Sequence, residues 1–162
     1  KHMENVILRD NRLTPVGTTA LVKTFDESLL NLDLSFNRIG LLGARSVADL
    51  ISKPDCKLED LNLESCRLGD KALSELLSTI QLNKTIKIIN LADNSLSNSV
   101  CPALSRMIYN NKSLQSLNLH WNKFQHVGAI ILCNGLRESS SMRVLDLSWN
   151  SIGGGKENGV AR

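Results

Sequence analysis

The sequence predicts a right-handed α/β solenoid, in which a short parallel strand and a helix alternate through about six repeats of 28 residues. Two observations lead to this prediction. An apolar motif with a polar anchor recurs, and the anchors are separated by 26, 29, 28, 28 and 28 residues. Within each repeat the apolar spacing then changes from two, typical of a strand, to about four, typical of a helix. The anchors are Asn11, Asn37, Cys66, Asn94, Asn122 and Asn150.

The strand of each repeat lies just before its anchor. In Leu32-x-Leu34 and Leu117-x-Leu119 alternate residues are apolar, so one face of the strand is buried and the other faces solvent. Equivalent strands in successive repeats run in the same direction. We therefore expect one continuous parallel sheet.

The helix of each repeat follows the anchor. Apolar or small residues stand 6, 10 and 14 positions after it, as in Ala72/Leu76/Ile80 and Gly128/Leu132/Leu136. This spacing predicts an amphipathic helix. We expect the small residue at the first position, such as Gly128, to let the helix approach the strand closely.

The spacing of the two layers predicts their curvature. Neighbouring strands lie about 4.7–4.9 Å apart, whereas packed helices lie about 8–10 Å apart. The sheet must therefore line the concave side of a horseshoe and the helices its convex side. The anchor amide is expected to satisfy backbone groups where the chain leaves the strand, with Cys66 as the weaker substitute.

Composition places limits on the function. The 162 residues fit a single domain, and 19 basic against 16 acidic residues give a net charge of +3 with no long run of either sign. We therefore expect no binding to nucleic acid and, without a long apolar stretch, no membrane insertion. The four cysteines show no metal-binding spacing, and Cys66, Cys101 and Cys133 occupy core-like positions. Buried, reduced thiols favour a cytoplasmic protein.

The ends of the sequence resemble those of an excised piece. We expect residues 1–162 to form one repeat domain of a longer protein, with the last repeat truncated. Repeat ends without polar caps also predict weak end-to-end self-association.

The motif L-x-x-L-x-L-x-x-N-x-L and stretches such as "LNLDLSFNRIGLLGARSVADLI" resemble the ribonuclease-inhibitor-like class of leucine-rich repeats. This resemblance covers nearly the whole chain. It implies a non-catalytic protein-interaction module or scaffold that binds through its concave face and adjoining loops, cytoplasmic and in some members cytoskeletal or ciliary. It also leaves two alternatives open: a regulator of an enzyme in trans, such as a GTPase-activating or inhibitor-type protein, and the sensing domain of a NOD-like receptor.

The candidate binding residues lie on the concave face and at its rim. By motif position that face includes Asn31, Asp33, Ser35, Asn62, Asn90, Ala92, Asn118 and Asp146. Trp121 and Trp149 are equivalent in adjacent repeats, so their rings should be neighbours, and Phe36 occupies the same motif position. Large aromatic and arginine side chains dominate interface energetics. The predicted protein-binding set is Phe36, Arg38, Arg67, His120, Trp121, Lys123 and Trp149. The alternative is that these rings only shield the layer beneath them.

Sequence motifs for catalysis, cofactors and metals are missing. The chain has no H-E-x-x-H or G-x-S-x-G, and the glycine run at 153–156 lacks the spacing of a phosphate loop. His126 and Cys133 share a helix face without further ligands. We therefore expect no enzyme activity, no cofactor and no metal site.

Overall fold

The computed structural model describes residues 3–153. Six three-residue strands alternate with five helices, and the strands form one parallel sheet in the order β1-β2-β3-β4-β5-β6. The strands are β1 (Asn5–Ile7), β2 (Asn31–Asp33), β3 (Asp60–Asn62), β4 (Ile88–Asn90), β5 (Ser116–Asn118) and β6 (Val144–Asp146). The helices are α1 (Pro15–Val22), α2 (Gly40–Ile51), α3 (Gly69–Ile80), α4 (Cys101–Asn110, preceded by the 3₁₀ turn Asn98–Val100) and α5 (His126–Arg137). The predicted α/β solenoid is confirmed.

The sheet register follows the sequence repeat. Leu32, Leu61, Ile89 and Leu117 are paired across neighbouring strands, and all four are almost fully buried. Each layer of the core thus stacks the same motif position of successive repeats. This arrangement explains why the core is built from aliphatic residues of similar size.

The helices bury the face that the spacing of four predicts. In α3 the residues Ala72, Leu76 and Ile80 are fully buried, together with Leu73 and Leu77. At the two ends the burial is weaker, because Leu21, Phe25 and Leu136 are only partly covered. Gly69 at the start of α3 has a φ of +65° with open space around its missing side chain, so the backbone conformation is what favours glycine there.

The prediction that Gly128 lets its helix approach the strand was wrong about which segment the helix approaches. A Cβ at Gly128 would lie 2.3 Å from Asn98 Oδ1 and 2.9 Å from Cys101 Sγ. The small residue therefore allows α5 to approach the preceding repeat's helical segment, rather than its own strand. A larger side chain at Gly128 would still overpack the layer.

The anchor column has the predicted role. Asn94 accepts hydrogen bonds through Oδ1 from the backbone N–H groups of Cys66 and Leu68, both at 3.1 Å. Its Nδ2 donates to the carbonyls of Leu63, at 2.7 Å, and Leu91, at 3.2 Å. The asparagine side chains thereby join each repeat to the one before it. Asn37, Asn122 and Asn150 make equivalent bonds.

Three of the four cysteines, Cys56, Cys66 and Cys101, are buried, which confirms the core positions predicted for Cys66 and Cys101. Burial raises the pKa of the Cys66 thiol to about 12 and that of Cys101 to about 11. The core position expected for Cys133 is wrong, since its side chain is exposed. Within residues 3–153, α5 packs against α4 and no later helix covers its opposite side. None of the helices in this range is long and apolar enough to cross a membrane.

Candidate functional site

The turn that follows each strand carries most of the predicted binding residues. In all six repeats the residue before the anchor has a left-handed backbone, with φ between +49° and +58°. These residues are Asp10, Phe36, Ser65, Asp93, Trp121 and Trp149. Aspartate, asparagine and glycine tolerate this conformation, whereas a bulky side chain there is a conformational outlier. Three aromatic residues thus occupy a position where the backbone disfavours them.

Trp121 and Trp149 form a stacked pair. Their ring centroids are 5.9 Å apart and the rings are inclined by 23°. His120 contacts both in edge-to-face geometry, at 6.1 Å from Trp121 and 6.4 Å from Trp149. The sequence prediction that the two tryptophans are neighbours is confirmed. We call His120, Trp121 and Trp149 the aromatic cluster.

The aromatic cluster is exposed. Trp121 is 61% and Trp149 73% accessible to solvent. Trp121 follows β5, which is paired with β4 on one side and with β6 on the other, so its exposure does not come from a missing neighbour. A ring that shielded the core would be largely buried. The exposure of Trp121 therefore argues against the shielding alternative.

A short hydrogen-bond chain fixes the histidine of the aromatic cluster. The Ser148 hydroxyl donates to Asp146 Oδ1 at 2.6 Å, and His120 Nδ1 lies 2.6 Å from Ser148 Oγ. Because the hydroxyl has only one proton, the histidine Nδ1–H is the donor to Ser148. Two hydrogen bonds from Ser148 to Asp146, one from the hydroxyl and one from the backbone N–H, lower the pKa of Asp146. The serine proton points to the carboxylate and not to the imidazole, so this is an orienting contact rather than a catalytic triad.

A second candidate site is a groove of about 980 Å³ along the loop edge of the sheet. It is lined in part by Phe36, Arg38 and Arg67. The guanidinium of Arg9 sits 4.1 Å from the Phe36 ring centroid and covers part of it. Phe36 is consequently the least exposed of the three aromatics, at 39%. The predicted binding residues thus divide into two groups.

Lys123 belongs to neither group in the described residues. Its backbone N–H donates to Leu96 O at 2.7 Å, and its side chain is exposed. Its charge helps to lower the pKa of Asp70, where burial acts in the opposite direction and hydrogen bonds from Ser97 and Ser99 outweigh it. The inclusion of Lys123 in the predicted binding set therefore stays a prediction.

Two predicted surface residues are in fact buried. Ser35 is fully buried and Ala92 is 1% exposed, although motif position placed both on the concave face. The equivalent residues Arg9, Glu64, His120 and Ser148 are partly or fully exposed, so this burial is confined to the second and fourth repeats.

The polar residue at the end of each of the strands β2 to β6 has a structural role that sequence reasoning missed. Asn118 Oδ1 accepts the backbone N–H of His120 at 2.8 Å, and Asp146 Oδ1 accepts that of Ser148 at 2.8 Å. Such bonds to the backbone two residues further on are a known preference of Asn and Asp in turns. The recurrence of Asn or Asp at these strand ends is the sequence feature that could have predicted this role. The same bond is made by Asp33, Asn62 and Asn90.

Two further asparagines, Asn83 and Asn111, have a structural role in the turns between helix and strand. Asn111 is buried, donates through Nδ2 to Ile80 O at 2.7 Å, and accepts from the Leu114 N–H at 2.7 Å. Asn83 accepts from the Ile86 N–H in the same way. The sequence feature that could have predicted this role is the N-K-[TS] triplet, which recurs after 28 residues.

Residues 3–153 contain no group of three or more His, Cys, Asp or Glu side chains that could hold a metal ion. His126 and Cys133 are both exposed. The 153–156 glycine run lies almost wholly outside the described residues.

Comparison with known proteins identifies the repeat. A family model described as Leucine Rich repeat matches residues 26–48, 55–77, 110–133 and 138–155, together more than half of the chain. The chain belongs to the leucine-rich repeat family. The narrower resemblance to ribonuclease-inhibitor-like repeats is compatible with this match and stays a prediction.

Several curated relatives of this chain are NACHT, LRR and PYD domains-containing proteins. The chain is 32% identical over 110 residues to the mouse NACHT, LRR and PYD domains-containing protein 14, an alignment that covers 63% of this chain and 11% of the relative. It is 36% identical over 89 residues to the human NACHT, LRR and PYD domains-containing protein 12, covering 54% and 8%. The chain thus spans about a tenth of the length of these relatives.

Solved leucine-rich repeat structures show the same fold. The tropomodulin C-terminal domain of Caenorhabditis elegans superposes with a TM-score of 0.61 at 19% identity, covering 66% of this chain and 65% of that one. Leiomodin-1 actin-binding site 2 gives a TM-score of 0.53 at 18% identity, covering 86% and 65%. At these identities the likeness establishes the fold alone.

Proposed function

We propose that this leucine-rich repeat chain is a non-catalytic protein-interaction module whose main anchor is the aromatic cluster. One observation carries the proposal: the stacked Trp121 and Trp149 rings are 61% and 73% exposed. A rigid, exposed aromatic pair is the type of surface that gains most when a partner removes it from water.

The backbone strengthens this argument. A bulky residue in the left-handed region costs on the order of 1–3 kcal/mol. Asp10 and Asp93, at the same position in other repeats, avoid most of that cost. The exposed Trp121 ring gains little for the fold in return, apart from stacking worth about 0.5–1.5 kcal/mol. The fold alone therefore does not account for tryptophan here, whereas partner binding does.

The orientation of the aromatic cluster suits a binding surface. The contacts from Asp146 through Ser148 to His120 hold the imidazole edge-on to both indole rings. A partner would meet a preformed platform with little ordering cost. The flanking polar residues Asn118 and Asp146 are already hydrogen-bonded to the backbone and supply the polar rim.

The partner is proposed to be a protein, and the chain a scaffold-type component in the cytoplasm. A cytoskeletal setting is one version of this proposal. Actin is a named candidate to test, because one solved structure with this fold is an actin-binding site of leiomodin-1. Action on an enzyme in trans remains a weaker alternative, with no residue of the described surface that favours it.

A second candidate is the repeat portion of a larger sensor protein. The matches to NACHT, LRR and PYD domains-containing proteins favour this candidate. The full-length coding sequence tests it: a nucleotide-binding module upstream of these repeats supports the sensor, and its absence contradicts it.

The binding proposal is tested by comparative affinity capture with quantitative mass spectrometry. The parent protein is compared with a Trp121→Asn/Trp149→Asn double variant and with an Arg45→Ala control. Arg45 forms an exposed ion pair with Glu75 on the convex side, so its loss leaves the concave surface intact. Purified actin filaments are assayed in parallel.

Proteins that the parent and the control retain, and that the tryptophan variant loses by about thirtyfold or more, support the proposal. Equal retention by all three proteins contradicts it. A loss confined to the convex variant would move the binding surface to the helices.

A further inference from the structure

The groove beside Phe36 contains a row of arginines. Arg12, Arg38 and Arg67 each follow the anchor residue directly in the first three repeats, and all three line the same groove of about 980 Å³. In the fourth repeat the equivalent residue is Ser95. We call Arg12, Arg38 and Arg67 the arginine row.

The arginine row has no partner among residues 3–153. The ion pairs of the described residues involve Arg9, Arg45, Lys87 and Arg137, and none involves a member of the arginine row. Within the described residues no side-chain hydrogen bond of Arg12, Arg38 or Arg67 is present either. By contrast, Arg9 on the same side of the sheet is engaged by Ser35 at 3.1 Å and Glu64 at 3.7 Å. Three exposed guanidinium groups thus remain available to an external acceptor.

The spacing of the arginine row fits an extended peptide. Because the strands lie about 4.8 Å apart, three successive repeats span roughly 10 Å. An extended chain advances about 3.3 Å per residue, so roughly four residues cover that distance. Guanidinium groups bind carboxylate and phosphate oxygens through paired hydrogen bonds. A short run of acidic side chains would therefore match the row in both length and charge.

Two carboxylates also line the groove. Asp10 and Asp93 belong to the neighbouring column of residues, and Asp93 accepts a short hydrogen bond from the Ser65 hydroxyl. They reduce the net charge of the groove to +1, taken over three arginines and two aspartates. Neither lies within 4.0 Å of an arginine nitrogen, since no such ion pair is present. Removing these carboxylates should consequently strengthen anion binding.

We propose that the arginine row is a docking site for a short acidic segment of a partner protein. This inference rests on the proposed function only in that the ligand is a protein, and it uses residues distinct from the aromatic cluster. The arginine row binds anionic oxygens, which a peptide can present as glutamate carboxylates or as phosphoserine. Phe36, on the same groove, supplies an apolar contact for the stem of such a side chain.

Fluorescence anisotropy with synthetic peptides tests the proposal without knowledge of the natural partner. The probe is a labelled peptide with four consecutive glutamates flanked by glycine and serine. A second probe has glutamines at those four positions, and a third has two phosphoserines. The parent should bind the first and third probes and not the second, with affinity that falls as salt rises.

Matched variants locate the binding. An Arg38→Gln/Arg67→Gln variant should lose about tenfold or more in affinity for the acidic probes. An Arg106→Gln/Lys84→Gln variant removes the same charge from exposed positions outside the groove and should bind like the parent. Asp10→Asn/Asp93→Asn, which keeps residues that tolerate the left-handed backbone, should bind more tightly than the parent.

Several results would overturn the arginine row as a docking site: no binding of either acidic probe to the parent, equal loss in the two charge-removing variants, or equal binding of the glutamine probe. Trp121→Asn/Trp149→Asn should bind the acidic probes normally. Failure of the aromatic-cluster proposal would therefore leave this result unchanged, and failure here would leave that proposal intact. Binding of only the phosphorylated probe would restrict the ligand to phosphopeptides and still support the site.

Discussion

Asn122 supports Asn94 in the preceding repeat, because its Oδ1 accepts the backbone N–H groups of Asn94 and Leu96, both at 3.0 Å. Its Nδ2 in turn donates to the carbonyls of Leu91, at 3.1 Å, and Leu119, at 3.0 Å. One side chain thus satisfies backbone groups of two repeats that the sheet does not reach. We therefore expect this repeated contact to stabilise the solenoid.

Replacement of Asn122 by alanine should lower the free energy of unfolding by about 1–3 kcal/mol, because buried N–H and C=O groups lose their partners. Urea denaturation followed by circular dichroism measures the change. Asn134→Ala, at an exposed position of α5, is the control and should change stability little. Equal effects of the two substitutions would contradict the structural role of the anchor.

Cys66→Asn should stabilise the chain by about 1 kcal/mol. In the other repeats the anchor oxygen accepts backbone N–H groups of the previous repeat, whereas the N–H of Asn37 faces the Cys66 thiol. Asparagine would supply the better acceptor. The urea midpoint measures the gain, and a lower midpoint would show that the site around Cys66 is too tight for the amide.

Thiol reactivity should separate Cys133 from the other cysteines. Burial raises the pKa of Cys66 to about 12 and that of Cys101 to about 11, so neither forms much thiolate at pH 8, while Cys133 is exposed. A thiol-reactive chromogenic disulfide should modify one cysteine rapidly in the native protein. The rapid phase should vanish in Cys133→Ser. Rapid modification of two or more thiols would contradict the buried positions.

The contribution of Asp70 should depend on pH. Burial tends to raise the pKa of its carboxyl, but hydrogen bonds from Ser97 and Ser99, at 2.6–2.8 Å, lower it overall. Because the pKa of this carboxyl is lower in the folded state, its ionised form stabilises the fold at pH values above the unfolded-state pKa of about 3.9. This stabilisation is lost as the pH falls through the folded-state pKa. Asp70→Asn should therefore reduce the melting temperature at pH 7 and have a smaller effect below about pH 3. A difference that does not change with pH would contradict this account.

The repeat period predicted much of the molecule because each repeat meets the same physical problem. Leu32, Leu117 and Asn94 have environments that neighbouring repeats reproduce, so motif position alone placed them correctly. Cys133 was misplaced because its helix packs on one side only within the described residues. Local periodicity does not reveal which neighbour a helix face will meet.

The candidate site was predictable only in part. Equivalent motif positions brought Trp121 and Trp149 together, since stacked repeats align equivalent residues. The left-handed backbone at these positions was not predictable, because tryptophan and phenylalanine rarely adopt it. The separation of Lys123 from the aromatic cluster also depends on how the turn directs each side chain, which spacing does not encode.

The most direct test of the aromatic cluster as a binding surface is the free energy of unfolding of Trp121→Asn/Trp149→Asn, measured by urea denaturation beside the parent. Asparagine suits the left-handed backbone, and the rings it replaces are 61% and 73% exposed. If the rings are present for a partner, the variant should be as stable as the parent or more stable, within about 1 kcal/mol. A loss of about 2 kcal/mol or more would show that the tryptophans hold the fold together and would contradict the proposed function.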